Sequence, residues 1–163
     1  MAEVWDDLQC AGLGIYRDPD GFSYGHDAVL LANYIRARKG ERLLDIGAGT
    51  GIVALLAHVK TGVNACAVDI SERCCALMEK SVARNGLSGT VNVFQADLRQ
   101  LPDVRLPWES FDCAACNPTY FPSGTESPNL ARRQSAHEVS CTLRDVAACA
   151  RRMLRNGGRL FIC

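Results

Sequence analysis

Asp45-Ile46-Gly47-Ala48-Gly49-Thr50-Gly51 is the stretch of this 163-residue chain on which its fold turns. An apolar strand, Arg42 to Ile46, runs into it, and a helix from Gly51 to about Lys60 leaves it. That helix is apolar on almost every side, so it belongs in an interior. Glycines at alternate positions let the backbone turn sharply and approach a ligand with no Cβ in the way. A helix N-terminus beside open strand ends makes a crevice suited to an adenosine-type cofactor.

Outward from the loop the pattern is regular. Asn64 to Val68 reads as a second strand, and Glu72 to Asn85 as an amphipathic helix ended by Gly86. Val91 to Gln95 and Phe111 to Cys116 read as the third and fourth strands. Asn117 to Leu130 is a loop carrying Pro118, Pro122 and Pro128. Leu143 to Leu154 is a helix stopped at Asn156-Gly157-Gly158, and Arg159 to Cys163 opens a fifth strand. Strands alternating with helices predict parallel βαβ units. The expected fold class is α/β, a doubly wound, mainly parallel Rossmann-like sheet. Upstream, Leu8 to Tyr24 reads as a hairpin with a turn signal at Asp18-Pro19-Asp20-Gly21. Asp27 is placed to cap a helix running to about Arg38, closed by Gly40. Residues 1–40 are thus expected to form a hairpin and helix, and residues 41–163 the core.

Composition narrows the function classes. Eighteen Lys and Arg balance eighteen Asp and Glu, which argues against a protein held to nucleic acid by bulk charge alone. Basic residues still cluster, at Arg36, Arg38, Lys39 and Arg42, at Arg132 and Arg133, and at Arg151, Arg152 and Arg155. Each cluster reads either as a solvated helix face or as a phosphate footprint. No run of about 18 apolar residues predicts a membrane span, and the acidic start lacks a signal peptide's pattern. The expected location is the cytoplasm. Nine cysteines are many for this length, yet they sit mostly in apolar segments. Cys113 and Cys116 fall in a strand, where residues three apart face opposite ways. No second pair at zinc-site spacing is evident, so no metal is expected. Buried free thiols acting as small apolar residues account for all nine.

The glycine spacing separates cofactor classes. A dinucleotide fingerprint places its last glycine three residues after the second, whereas here the glycines are Gly47, Gly49 and Gly51. Asp45, just before the loop, would repel a pyrophosphate but suits a cofactor with a cationic end. This Asp-x-Gly-x-Gly-x-Gly pattern resembles the first motif of class I methyltransferases, whose cofactor is S-adenosyl-L-methionine. Two further acids end strands on the same rim. Asp69 is placed for the ribose hydroxyls and Asp97 for the adenine amino group. Taken alone, each reads equally well as a helix cap or turn residue. Ile46, Ala48, Ile70 and Leu98, beside these acids and glycines, complete the expected cofactor-binding set.

After the fourth strand comes Asn117-Pro118-Thr119-Tyr120-Phe121. It resembles the Asn-Pro-Pro-Tyr motif of methyltransferases that act on planar nitrogens, with Thr119 at the usual second proline. An exocyclic amino nitrogen is a poor nucleophile because its lone pair is delocalised. In that family the Asn side chain and the following Pro carbonyl accept its two hydrogens, and the Tyr ring stacks on the base. The resemblance assigns those roles to Asn117, Pro118 and Tyr120, with Asn117 also beside the cofactor. The bland alternative is an Asn-Pro turn.

Nearly the whole chain is similar to one branch, the bacterial tRNA(Val) adenine N6-methyltransferases. Asp7-Leu8-Gln9, Pro19 to Ala32, the glycine loop, Cys116 to Phe121, Ala136-His137-Glu138 and Cys141-Thr142-Leu143 carry the likeness. The resemblance implies a tRNA partner, an N-terminal segment folded over the cofactor, and Asp27 as either cofactor contact or helix cap. Arg132, Arg133 and His137 are candidates to meet RNA phosphates. A release-factor glutamine methyltransferase is the rival within the class, but about 40 residues before the core leave no room for its helical domain. From another class, the chain could be a cofactor-binding module without turnover. Such sheets normally continue beyond the fifth strand, so the sheet is expected to lack its last two strands. Leu160-Phe161-Ile162-Cys163 would then lie at an open edge and favour dimerisation or aggregation.

Overall fold

The computed structural model describes residues 3–21, 24–118 and 141–163. In chain order the elements are β1 (Val4–Asp7), β2 (Gly14–Arg17), α1 (His26–Tyr34), β3 (Arg42–Ile46), α2 (Ile52–Thr61), β4 (Asn64–Asp69) and α3 (Glu72–Arg84). They continue with β5 (Val91–Gln95), a 3-10 turn at Leu98–Gln100, β6 (Phe111–Cys116), α4 (Leu143–Met153) and β7 (Leu154–Ile162).

The central sheet has five strands in the order β5-β4-β3-β6-β7, all parallel. It is the doubly wound α/β arrangement that the alternation of elements requires. Side chains alternate across it with the period of a pleated strand. Leu43, Ala65, Ala67, Cys113 and Ala115 enter one core with α1, α2 and α3. Leu44, Ile46, Cys66, Val68, Ala114 and Cys116 enter the other, where α4 supplies Val146, Cys149, Ala150 and Met153. Cys113 and Cys116 therefore face opposite ways, as their spacing demands. Helix α2 is buried over Ile52–Ala57, in keeping with its all-round apolar sequence.

Several local expectations need correction. The hairpin pairs Val4–Asp7 with Gly14–Arg17, and the Asp18–Gly21 turn follows it instead of forming its tip. Its reversal lies nearer the N-terminus, where Gln9, Ala11 and Gly12 have φ of 51°, 51° and 73°. Packing selects that pairing. Trp5 meets Tyr16 edge-on with ring centroids 4.8 Å apart, and a Cβ on Gly14 would fall 2.2 Å from the Trp5 ring. The hairpin is tied to α3 by Asn85 Nδ2, which donates to the Gly14 carbonyl at 2.7 Å. Leu13 and Ile15 then enter the same core as α1 and α2.

Helix α1 is capped by Gly25, not Asp27, and ends at Tyr34, short of Arg38. Gly40 closes no helix; its amide donates to the Gly62 carbonyl, joining two loops. After α4 the chain passes straight into β7 at Leu154. Its pairing jumps from Phe111↔Leu154 to Cys113↔Arg159, so Asn156-Gly157-Gly158 forms an irregularity within the strand. Only five of the nine cysteines are buried; Cys10, Cys74 and Cys141 are half-buried and Cys163 is exposed. Burial pushes the thiols of Cys75 to about 12 and of Cys113 and Cys149 to about 11, as for inert packing residues. Among the described residues no helix is long and apolar enough to cross a membrane.

Candidate functional site

The glycine loop leaves β3 and turns into α2 through three left-handed residues, Gly47, Gly49 and Gly51, with φ of 67°, 57° and 88°. Only glycine adopts these angles without strain. The loop is pinned to β4, because the Ala48 amide donates to the Val68 carbonyl at 3.0 Å. A Cβ on Gly51 would lie 2.6 Å from Met78, so this glycine lets the loop close onto α3. A Cβ on Gly47 would meet nothing within 4 Å. Gly47 borders open space at the strand ends, where a ligand can approach the backbone.

The three acids have different surroundings. Asp45 is 1% exposed, and its Oδ2 accepts the Ala54 amide at 3.0 Å. Ala54 is the third residue of α2, and the capping residue Gly51 has no side chain. Asp45 thus supplies from the strand the acceptor that a Ser or Asp cap would provide. Burial drives its carboxyl up to about 7; the Ala54 hydrogen bond opposes this and nearby Asp69 adds to it.

Asp69 ends β4 and bridges two loops. Its Oδ2 accepts the Gly49 amide at 2.7 Å and its Oδ1 accepts the Ser71 amide at 2.9 Å. Burial raises its pKa, and those two backbone donors pull it back. Each oxygen keeps a lone pair, so the carboxylate can also accept from a diol. Ile70 follows it, half-buried at the same rim.

Asp97 follows β5 in the turn position that its sequence reading also allows. It caps the 3-10 turn through the Arg99 amide, and the Arg99 guanidinium grips it with Nη2 at 2.6 Å. Arg99 holds the Asp97 carboxyl below the usual carboxylate range. Leu98, next along, is buried in the core beside α4. The Asp–Arg pair two residues apart has no periodic signature, so only the folded turn shows it.

Asn117 and Pro118 stand immediately after β6, both half-buried. The β3–β6 register pairs Ile46 with Cys116, so Gly47 and Asn117 are the next residues on two neighbouring strand ends. Paired strands lie about 4.8 Å apart. Asn117 Nδ2 donates to Asp27 Oδ2 at 2.9 Å, a partner from 90 residues upstream that motif reading did not assign. Tyr120, together with Thr119, Arg132, Arg133 and His137, lies outside the described residues.

The residues present suit a cofactor with a diol and an adenosine-like body: a glycine cradle open at Gly47 and, at the next strand end, an acid whose oxygens keep lone pairs. Among the described residues no three His, Cys, Asp or Glu side chains are grouped to hold a metal ion. An open parallel sheet with its glycine loop and acid at adjacent strand ends defines a Rossmann-like, nucleotide-cofactor domain.

The family comparison makes the class specific. The profile of the methyltransferase domain matches residues 43–132, more than half of the chain, and the chain belongs to this family. A tRNA1(Val) (adenine(37)-N6)-methyltransferase of Parabacteroides distasonis is 26% identical over 91% of the chain and 62% of its own length. The enzyme of the same description from Shewanella woodyi is 31% identical over 75% of the chain and 51% of its own. The chain thus spans about half to three-fifths of the length of these relatives. A Thiobacillus denitrificans S-adenosylmethionine-dependent methyltransferase, solved with S-adenosyl-L-homocysteine, superposes with a TM-score of 0.61. That likeness covers 85% of this chain and 48% of the other at 19% identity, and it speaks to the fold.

Proposed function

We propose that this chain binds S-adenosyl-L-methionine and methylates an exocyclic amino nitrogen, the N6 of an adenine in tRNA. The observation that carries the reading is the register Ile46↔Cys116. It puts the glycine loop and the Asn-Pro pair on adjacent strand ends, so one crevice can hold both cofactor and acceptor base.

Gly47, Gly49 and Asp69 hold the cofactor, with Asp69 accepting from the ribose hydroxyls. Asp45 acts from behind the loop by fixing the start of α2. When bound, S-adenosyl-L-methionine supplies an electrophilic methyl group. The chain's own contribution is positional and electrostatic. Asn117 Oδ1 and the Pro118 carbonyl accept the two N–H hydrogens of the target amine. Two acceptors fixed there draw the nitrogen from planar towards tetrahedral geometry and turn its lone pair into the crevice. Tyr120 is assigned base stacking on the motif alone. The adenine of tRNA is supported by the descriptions of relatives that match 91% and 75% of the chain.

The test is incubation of the chain with labelled S-adenosyl-L-methionine and bulk tRNA, followed by digestion to nucleosides. Label in N6-methyladenosine is the expected result; label on protein instead of RNA would favour a glutamine methyltransferase. In parallel, Asn117→Ala should remove transfer while S-adenosyl-L-homocysteine still binds with nearly wild-type affinity. Equal loss of both would overturn this division of roles.

A further inference from the structure

We infer that Asp27 is the positioning residue for the reaction: it locks the Asn117 amide in the one orientation that presents Oδ1 to the target amine. This inference rests on the function proposed above, in which Oδ1 is an acceptor. An asparagine amide is ambiguous by itself, since a half-turn about its last bond exchanges a hydrogen acceptor for a hydrogen donor. With Nδ2 turned towards a substrate amino group, donor would face donor and the nitrogen would not be engaged.

Asp27 removes the ambiguity. A carboxylate has no hydrogen to give, so a 2.9 Å contact between its Oδ2 and Asn117 requires Nδ2 on that side. Oδ1 then points the other way. The contact is charge-assisted and stronger than one between neutral groups. The first turn of α1 is built to allow it. A Cβ on Gly25 would lie 2.2 Å from Asp27 Oδ1, so the carboxylate folds back over a glycine that leaves it room. Gly25 is also the cap of α1 and has extended backbone, φ −94° and ψ 172°. Asp27 is therefore free of the capping role and available to Asn117. The N-terminal segment, attached through α1 and α2 to the core, thereby sets the chemistry of a loop 90 residues downstream.

Three measurements on the full chain test this. Selective nitrogen-15 labelling of asparagine lets the Asn117 side-chain amide be followed by NMR. Its hydrogens should be shifted and slow to exchange in the wild type, and both signatures should vanish in Asp27→Ala. The same variant should lower kcat for tRNA methylation by roughly 10- to 100-fold, the scale of a displaced reacting group. KM for tRNA and the affinity for S-adenosyl-L-homocysteine should stay within about twofold, since Asp27 touches neither in this assignment.

The third is the exchange Asp27→Asn with Asn117→Asp. The amide introduced at position 27 donates to the carboxylate introduced at position 117, whose second oxygen still faces the substrate. Asn117→Asp alone sets two carboxylates against each other and should be nearly inactive; the double variant should recover a substantial part of kcat. Unchanged amide signals and kcat in Asp27→Ala, or a double variant no better than Asn117→Asp, would overturn the inference. A wild type that binds S-adenosyl-L-homocysteine yet methylates no tRNA would count against the proposed function, and the amide signals would still decide the orientation.

Discussion

The carboxylate of Asp69 holds the amide of Gly49 at 2.7 Å, which ties the end of one strand to the middle of the loop that leaves the next. The same side chain takes the Ser71 amide with its other oxygen. One acid therefore shapes the glycine loop and offers its remaining lone pairs to a ligand.

Replacing it should affect both properties. Asp69→Ala leaves the Gly49 and Ser71 amides without their acceptor, and calorimetry should show S-adenosyl-L-homocysteine binding weakened by about 1–3 kcal/mol. Denaturant unfolding of the free protein should show a loss of similar order. Affinity equal to wild type would remove Asp69 from the binding site.

Gly47 and Gly51 should respond differently to alanine. Both have positive φ, but only Gly51 also faces a side chain, with Met78 2.6 Å from the added Cβ. Gly51→Ala combines backbone strain with overpacking and should cost about 2–5 kcal/mol in urea unfolding. Gly47→Ala carries the strain of about 1–2 kcal/mol alone, yet its methyl projects into open space and should block the cofactor. A Gly47→Ala variant that binds S-adenosyl-L-homocysteine normally would contradict this placement of the cradle.

Asp45 makes stability depend on pH with a particular sign. An unfolded Asp titrates near 3.9, whereas the folded carboxyl is raised to about 7. Between those values the folded chain keeps a proton that the unfolded chain has released. The Asp45 contribution is thus fully present below about pH 4 and fades as pH rises to about 7. Wild type minus Asp45→Asn in unfolding free energy should fall by on the order of 1–3 kcal/mol between about pH 5 and about pH 8. A flat difference would show that the buried acid does not change its protonation there.

The outer edge of β7 should self-associate. Leu30, Tyr34 and Ile162 are 63%, 73% and 38% exposed, and with Leu160 and Phe161 they line a groove of about 350 Å³. Sedimentation under reducing conditions, which excludes bridging through Cys163, should show mass rising with protein concentration. Ile162→Lys should suppress this; a wild type that stays monomeric throughout would refute it.

The residues themselves determined the sheet and the place of its crevice. Apolar strands, an all-apolar helix and glycines at 47, 49 and 51 admit few other arrangements, because pleat and helix periods dictate which side chains can be buried together. The matching of Asp69 to the glycine loop was readable for the same reason: both sit where neighbouring strands end.

Contacts across long separations belong to the tertiary structure alone. Asp27 had the credentials of a helix cap, but Gly25 took that position, and only the docking of α1 beside the end of β6 could give its carboxylate to Asn117. Asp97 has the position of an adenine acceptor, and the turn after β5 also brings Arg99 onto it, a pairing the sequence did not show. Asp45 has the charge for a cationic ligand, and its packing beneath the loop also makes it the acceptor for the Ala54 amide at the start of α2. Local sequence specifies period and turn; which polar group finds which partner depends on distances that exist only once the layers have packed.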